Sequence, residues 1–305
     1  MSDSHSFKSA FIALIGRPNS GKSTLLNAVL EENLAIVSPL PQTTQKNMNG
    51  VYTEEDLQIV FVDTPGIHMG KHRLNKSISQ YGLSMLHDEG ITIVCYLIDI
   101  SRKAGAEEAH LAALAEKART SKQVVLIFNK VDLFTLPEVE ERIAAFLADY
   151  PGLTECPRLM VSAKAPDARD VFVDFLRPFI PEGPRYFSPD EITDAHLRYF
   201  AAEYVRLQII GLTYREVPHA SHVEITSYTE EEGVHHINAD IHVETKGQKA
   251  ILIGNKGTTI GKIRRQAEWR MRKLTGEKVQ YQLFVKVTPH WRDNASQLNE
   301  FGFIE

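Results

Sequence analysis

Through the first 180 residues, short runs of β-branched and aliphatic residues alternate with longer stretches of three-and-four apolar spacing. That alternation predicts βαβ units around a mostly parallel sheet. The runs Phe11 to Ile15, Leu57 to Val62, Ile91 to Ile98, Val124 to Phe128 and Arg158 to Val161 read as strands, each bounded by Gly, Asp, Asn or Ser. Lys22 to Leu30, Glu107 to Ala118 and Glu138 to Tyr150 read as helices, with Pro137 near the start of the last. From Arg177 to Asp190 four of the chain's fourteen prolines interrupt any period, which predicts a linker. Beyond it the order changes to a helix near Asp194 to Ile210, two alternating runs, His222 to Tyr228 and Val234 to Glu244, and helices at Gln248 to Ile253 and Thr258 to Leu274. A last strand, Val279 to Val287, follows. The two alternating runs should pair as a hairpin through Glu230-Glu231-Glu232-Gly233.

A chain of 305 residues with this change of pattern predicts two domains, and we place them at 1–180 and 194–305 with 181–193 between them. The net charge of −5 gives no global sign of a nucleic-acid binder, so any such site must be local. Two cysteines, Cys95 and Cys156, cannot build a disulfide framework. The opening residues show no basic segment leading into a long apolar one, and the Ile91 to Ile98 run is too short to span a bilayer. The expectation is a cytoplasmic protein without a transmembrane segment.

Gly16-Arg17-Pro18-Asn19-Ser20-Gly21-Lys22-Ser23, with Thr24 behind it, matches GxxxxGK[ST] between a predicted strand and a predicted helix. Small residues let backbone amides wrap phosphate oxygens and the helix N-terminus favours negative charge, while Lys22 reaches the outer phosphates and the Ser23 hydroxyl suits magnesium. Asp63-Thr64-Pro65-Gly66 follows the second strand, where Asp63 can hold the metal through water and the Gly66 amide can meet the terminal phosphate. Asn129-Lys130-Val131-Asp132 follows the fourth. A carboxylate at Asp132 accepts two hydrogens from guanine that adenine does not offer, Asn129 braces the loop and the Lys130 stem covers the purine. Ser162-Ala163-Lys164 follows the fifth, where the Ala163 amide can bond guanine O6. All four segments fall at the carboxyl edge of the expected sheet, where open α/β folds bind ligands.

In that order the motifs resemble those of Ras-like GTPases of the translation-factor class, and the forms GRPNSGKS, QTT, DTPG, NKVD and SAK resemble the Era family along the whole chain. The resemblance implies an α/β P-loop GTPase domain followed by an α+β type II KH domain, with GTP or GDP and magnesium as ligands. It implies that Thr44, or its neighbour Thr43, is the switch threonine that binds magnesium and senses the terminal phosphate, and that 33–50 and 67–80 are switch loops. Ile67 stands where Ras-like enzymes carry a glutamine that orients the attacking water, so slow intrinsic hydrolysis is expected. Asn19 resembles an asparagine that binds potassium in some relatives.

Ile253-Gly254-Asn255-Lys256-Gly257 joins two predicted helices, and a GxxG loop there is the backbone grip of KH domains. From Lys246 to Lys286 eleven Lys or Arg face only Glu268 and Glu277, a local excess of nine positive charges. Lys262, Arg264 and Arg265 extend the expected RNA contact, with bases resting against Ile251, Ile253 or Ile260, which equally suit a core. Trp291 is expected as a packing anchor, and His235, His236 and His242 as ordinary strand histidines. The resemblance implies a monomer that binds the 3′ end of small-subunit ribosomal RNA and assists 30S subunit maturation. Two rival readings stay open: an RNA-binding scaffold whose nucleotide never turns over, and a GTPase whose basic helix meets the inner face of the cell membrane.

Overall fold

The computed structural model describes residues 6–31, 48–63, 74 and 88–303. They divide into two units that part between Asp194 and Ala195, with Leu74 assigned to the second. In the first, strands β1 (Lys8–Gly16), β2 (Met48–Thr53), β3 (Leu57–Asp63), β4 (Ile91–Asp99), β5 (Gln123–Asn129) and β6 (Arg158–Val161) form one sheet in the order β2-β3-β1-β4-β5-β6. All neighbours run parallel except β2, which returns antiparallel along β3. The helices are α1 (Lys22–Leu30), α2 (Ala106–Ala118), α3 (Leu136–Asp149) and α4 (Ala168–Leu176).

Burial explains the near-continuous apolar runs. In β4 every residue but Thr92 is buried, as expected for a central strand covered on both faces. Phe146 of α3 packs edge to face against Tyr96 of β4 and Phe128 of β5. Cys95 and Cys156 are buried free thiols, and burial pushes both pKa values up, which keeps them inert. Helix α3 starts with Pro137 in its first turn and a capping box in which Glu138 accepts from the Thr135 amide at 2.8 Å.

In this unit sequence periodicity misses two elements. Residues 48–50, expected at the end of a switch loop, open the edge strand β2, and Ala168–Leu176 forms α4. The proline-rich stretch is ordered along the first unit: the Gln58 carboxamide, fully buried in β3, accepts from the Tyr186 and Phe187 amides and donates to the Phe187 carbonyl. Tyr186 also meets Phe11 edge to face.

In the second unit α5 (Leu197–Leu212) precedes the strands β7 (His222–Glu231) and β8 (Val234–Val243), then α6 (Lys246–Ile253), α7 (Thr258–Thr275), β9 (Lys278–Val287) and α8 (Ala295–Glu300). The sheet order is β7-β8-β9, with β8 antiparallel to β7 and parallel to β9. This is the predicted order helix, strand, strand, helix, helix, strand. The hairpin turns on Glu232 and Gly233, both at positive φ, as a two-residue hairpin requires. Trp291 is wholly buried and donates from Nε1 to the Ala220 carbonyl at 3.0 Å, with Phe301 and Phe303 around it. Among the described residues no helix is long and apolar enough to cross a membrane.

Candidate nucleotide and RNA sites

The turn between β1 and α1 works because of its glycines. A Cβ on Gly16 would lie 2.6 Å from the Leu97 carbonyl oxygen, and one on Gly21 would lie 2.1 Å from Asn129 Nδ2, with Gly21 at φ 105° as the N-cap of α1. Asn19 also takes a positive φ. Lys22 folds back over the turn, donating from Nζ to the carbonyls of Gly16 (2.9 Å) and Arg17 (3.1 Å). Ser23 and Thr24 stand half-buried in the first turn of α1.

Asn129 ties three motifs together. At the end of β5 its Nδ2 donates to the Ser20 carbonyl at 2.8 Å, and its Oδ1 accepts from the amides of Lys130 (2.8 Å) and Ala163 (3.0 Å). The bracing expected of Asn129 is therefore visible, whereas the Ala163 amide, expected at guanine O6, here serves that brace. Lys130 adopts positive φ and its ammonium meets Asp99 Oδ2 at 2.6 Å. Asp132 is exposed in a turn of 3₁₀ helix with Val131, while Ser162 and Ala163 are buried and Lys164 is exposed.

Two partners in this site were not legible in the sequence. Asp99, buried at the end of β4, anchors Lys130 and accepts from the Ser101 amide and hydroxyl. Glu108 on α2 is buried against the Arg17 guanidinium and the Tyr96 hydroxyl. Burial raises the Glu108 pKa against the pull of the Tyr96 hydrogen bond and of Arg17. Arg17 thus sends its side chain into the packing beneath α2 and also donates to the Lys103 carbonyl at 3.1 Å, while Arg102 donates to the Pro18 carbonyl.

Asp63 ends β3 in register with Leu14, two residues before Gly16. Thr44, Thr64, Pro65, Gly66 and Ile67 lie outside the described residues, as does Thr43. A hydroxyl and a carboxylate are hard oxygen donors, the set that magnesium takes. The Ser20 hydroxyl, buried with no hydrogen-bond partner among the described residues, adds a polar atom to the same turn. These residues fit a nucleotide with its magnesium ion.

In the second unit α6 opens with a capping box between Thr245 and Gln248. Gly254 has φ 71°, and a Cβ there would sit 2.3 Å from Thr259 Oγ1. Gly257 caps α7 at φ 78°. Lys256 between them also takes positive φ, and with Asn255 it forms one 3₁₀ turn that carries a cation on a tight loop. A cleft of about 400 Å³ opens beside it, lined by Gly257, Ile260, Gly261 and Arg264 of one side and Tyr281 to Phe284 of β9 on the other. Ile251 is exposed and Ile253 half-buried. Phe284, which no motif marks, is 55% exposed. Its signal was an aromatic in the outward phase of β9, where Lys278, Gln280, Gln282 and Lys286 also stand. Arg264 lines the cleft, while Lys262 and Arg265, expected with it in the RNA contact, are exposed and stand outside the lining.

The strand histidines do acquire carboxylates. His235 Nε2 lies 3.0 Å from Glu277, and His242 Nε2 lies 3.1 Å from Glu224. Linear spacing hid both because the partners sit on neighbouring strands or at a strand's entrance.

Comparison with known proteins places this architecture. A family model described as a 50S ribosome-binding GTPase matches residues 11–130, and a KH domain model matches 216–292. GTPase Era of Geobacter metallireducens is 40% identical over 305 residues, covering 99% of this chain and all of the relative. The chain belongs to the GTPase Era family. Era of Clostridium tetani is 37% identical over 298 residues, covering 97% of this chain and 99% of its own. Two solved Era structures superpose with a TM-score of 0.90 at 30% identity, each covering 98% of this chain and all of the solved one. One is an Aquifex aeolicus Era variant bound to GDP·AlF4−, the other Era in complex with MgGDPNP and nucleotides 1506–1542 of 16S ribosomal RNA. As a member of the GTPase Era family the chain binds guanine nucleotide and hydrolyses GTP, which removes the reading of a nucleotide that never turns over.

Proposed function

We propose that this Era-family GTPase is a switch whose nucleotide state governs how its KH domain holds the 3′ end of small-subunit (16S) ribosomal RNA during assembly of the 30S subunit. The domains serving this reading are 1–180 for GTP, 181–193 as connection and 194–305 for RNA. The observation that carries the nucleotide half is Asn129, which links the phosphate turn, the base-reading loop and the Ser162 to Lys164 loop through three hydrogen bonds. The RNA half rests on the Gly254 to Gly257 loop beside a cleft with an arginine and an exposed phenylalanine. The first domain's family model is named for the 50S particle, but the solved Era complex carries 16S RNA, and our reading follows the complex.

In the reaction a water oxygen bonds the γ-phosphorus as the bridging bond to GDP breaks, with the leaving electrons on the β-phosphate and the water proton passing to phosphate or solvent. Lys22 leaves the Gly16 and Arg17 carbonyls and, with the amides of 17–24, stabilises charge on the outer phosphates. Ser23, Thr44 and Asp63 would hold magnesium, which when bound would neutralise phosphate charge. In this reading Thr64, Pro65, Gly66 and Ile67 serve the terminal phosphate, through the Gly66 amide, and Asp132 selects guanine while Lys130 and Val131 frame the base. Asn19 is the residue through which a potassium ion would add positive charge. Ile67 brings no polar group to the water, so turnover is slow.

The full chain should bind GTP at least a hundredfold more tightly than ATP. Its affinity for single-stranded RNA from the 16S 3′ end should differ between a GTP analogue and GDP. Equal affinities for the two nucleotides would remove the base-reading role of Asp132, and equal RNA binding in both states would remove the switch.

A further inference from the structure

Helix α7 presents a second cationic face, outside the cleft. Its buried residues are Ile263, Ala267 and Met271, and its cleft-facing residues are Ile260, Gly261 and Arg264. At 3.6 residues per turn Lys262, Arg265, Trp269 and Lys273 share the ridge opposite the core, and Arg272 lies between that ridge and the cleft. All five are exposed. Trp269 keeps 46% of its surface in solvent, and the Lys273 ammonium sits 4.3 Å from its ring centroid. Among the described residues none of these four cations forms an ion pair. Glu268 is engaged by the Tyr281 amide and approached by Arg264.

An exposed tryptophan among cations that pair with no carboxylate among the described residues offers the two things a single strand needs, a stacking face and phosphate partners. We propose that RNA leaving the cleft crosses α7 over Arg265 and Arg272 and stacks a base on Trp269, so that the helix binds nucleotides flanking those held by the Gly254 to Gly257 loop. The chemistry selects the ligand: stacking suits any base, Lys273 beside the ring and the two arginines suit phosphates, and the ridge spans about 16 Å, room for several nucleotides. The cleft and the ridge share one helix, so a single strand meets both without a rearrangement. An anionic membrane would meet the same cations, but it would need an apolar face broader than one tryptophan. The proposal rests on the KH reading above, and its test separates the two.

Two RNAs decide it, a short one that fills the cleft and one extended by several nucleotides at each end, each titrated against the full chain. W269A should weaken the extended RNA about tenfold and the short one less than twofold, with W269F intermediate. Because Trp291 is buried, Trp269 dominates quenching of the fluorescence by iodide, and the extended RNA should protect it. Equal affinity of W269A and wild type for the extended RNA, or equal loss with both RNAs, would overturn the proposal. Loss of the short RNA in Gly254→Asp tests the cleft separately. A blue shift of Trp269 on vesicles of three parts phosphatidylcholine to one of phosphatidylglycerol, without protection by RNA, would assign the ridge to lipid and likewise overturn it.

Discussion

Gly21 and Asn129 are fitted to one another: a methyl group on Gly21 would lie 2.1 Å from the Asn129 amide nitrogen, which instead donates to the neighbouring Ser20 carbonyl at 2.8 Å. The phosphate turn and the base-reading loop are therefore one unit. Asn129→Ala leaves the Ser20 carbonyl and the Ala163 amide without partners in a buried place, at about 1–3 kcal/mol each. GTP and GDP affinity should fall at least tenfold together, read by fluorescence of a labelled nucleotide. A loss confined to GTP would assign Asn129 to the terminal phosphate instead.

Asp132 behaves differently, because it is exposed and braces nothing in the described residues. Asp132→Ala should leave thermal stability unchanged and lower GTP affinity about a hundredfold or more, with weak ATP binding untouched. Competition titration against both nucleotides measures it. Retained preference for guanine would move base selection elsewhere.

The Arg17 and Glu108 pair is a third kind of dependence. Both side chains are nearly inaccessible, at 5% and 1%. Removing one partner of such a pair strands a buried charge, and the cost is about 3–5 kcal/mol. Glu108→Ala should show that loss in urea unfolding followed by Tyr96 and its neighbours, while Glu108→Gln, which can still accept from Arg17 and Tyr96, should lose less. Equal stability of all three proteins would mean that the pair contributes nothing.

These contrasts also show what the sequence could carry. Strands in the centre of the sheet announce themselves because burial on both faces demands unbroken apolar runs, as in Ile91 to Ile98, and the phosphate turn because its chemistry needs contiguous residues. Strand β2, MNGVYT, is short, contains a glycine and sits at the sheet edge, so no period marks it. The nine residues of α4 bury only Ala168, Phe172, Val173 and Leu176, too few turns for a clear stripe. Glu108 lies 91 positions from Arg17, and only folding brings them together. Lys262, Arg264 and Arg265 are near neighbours in sequence, but the turn of the helix puts only Arg264 at the cleft.

On the RNA side, Gly254 is constrained twice, by φ 71° and by Thr259. Gly254→Ala should strain the loop and reduce RNA affinity severalfold or more, while GTP hydrolysis without RNA stays at the wild-type rate. Filter binding and phosphate release, measured on the same preparation, give both. A parallel fall in hydrolysis would mean the loop acts on the first domain.

The capping box of α3 gives the pH test. Glu138 accepts from the backbone and hydroxyl of Thr135, and these bonds hold its carboxyl below the usual range. A lowered folded pKa means that the unfolded chain takes up a proton first as pH falls, so the contribution is present above the unfolded pKa and lost as pH drops through the folded one. Gln at this position keeps the box but carries no charge. Wild type should therefore melt above Glu138→Gln at pH 7, and the gap should close progressively below about pH 4, the ordinary carboxylate range. Because the side chain is exposed, salt should narrow the gap at neutral pH as well. A gap that persists at pH 2 would mean that the glutamate acts through packing, and that the ionised hydrogen bonds to Thr135 contribute nothing to the helix start.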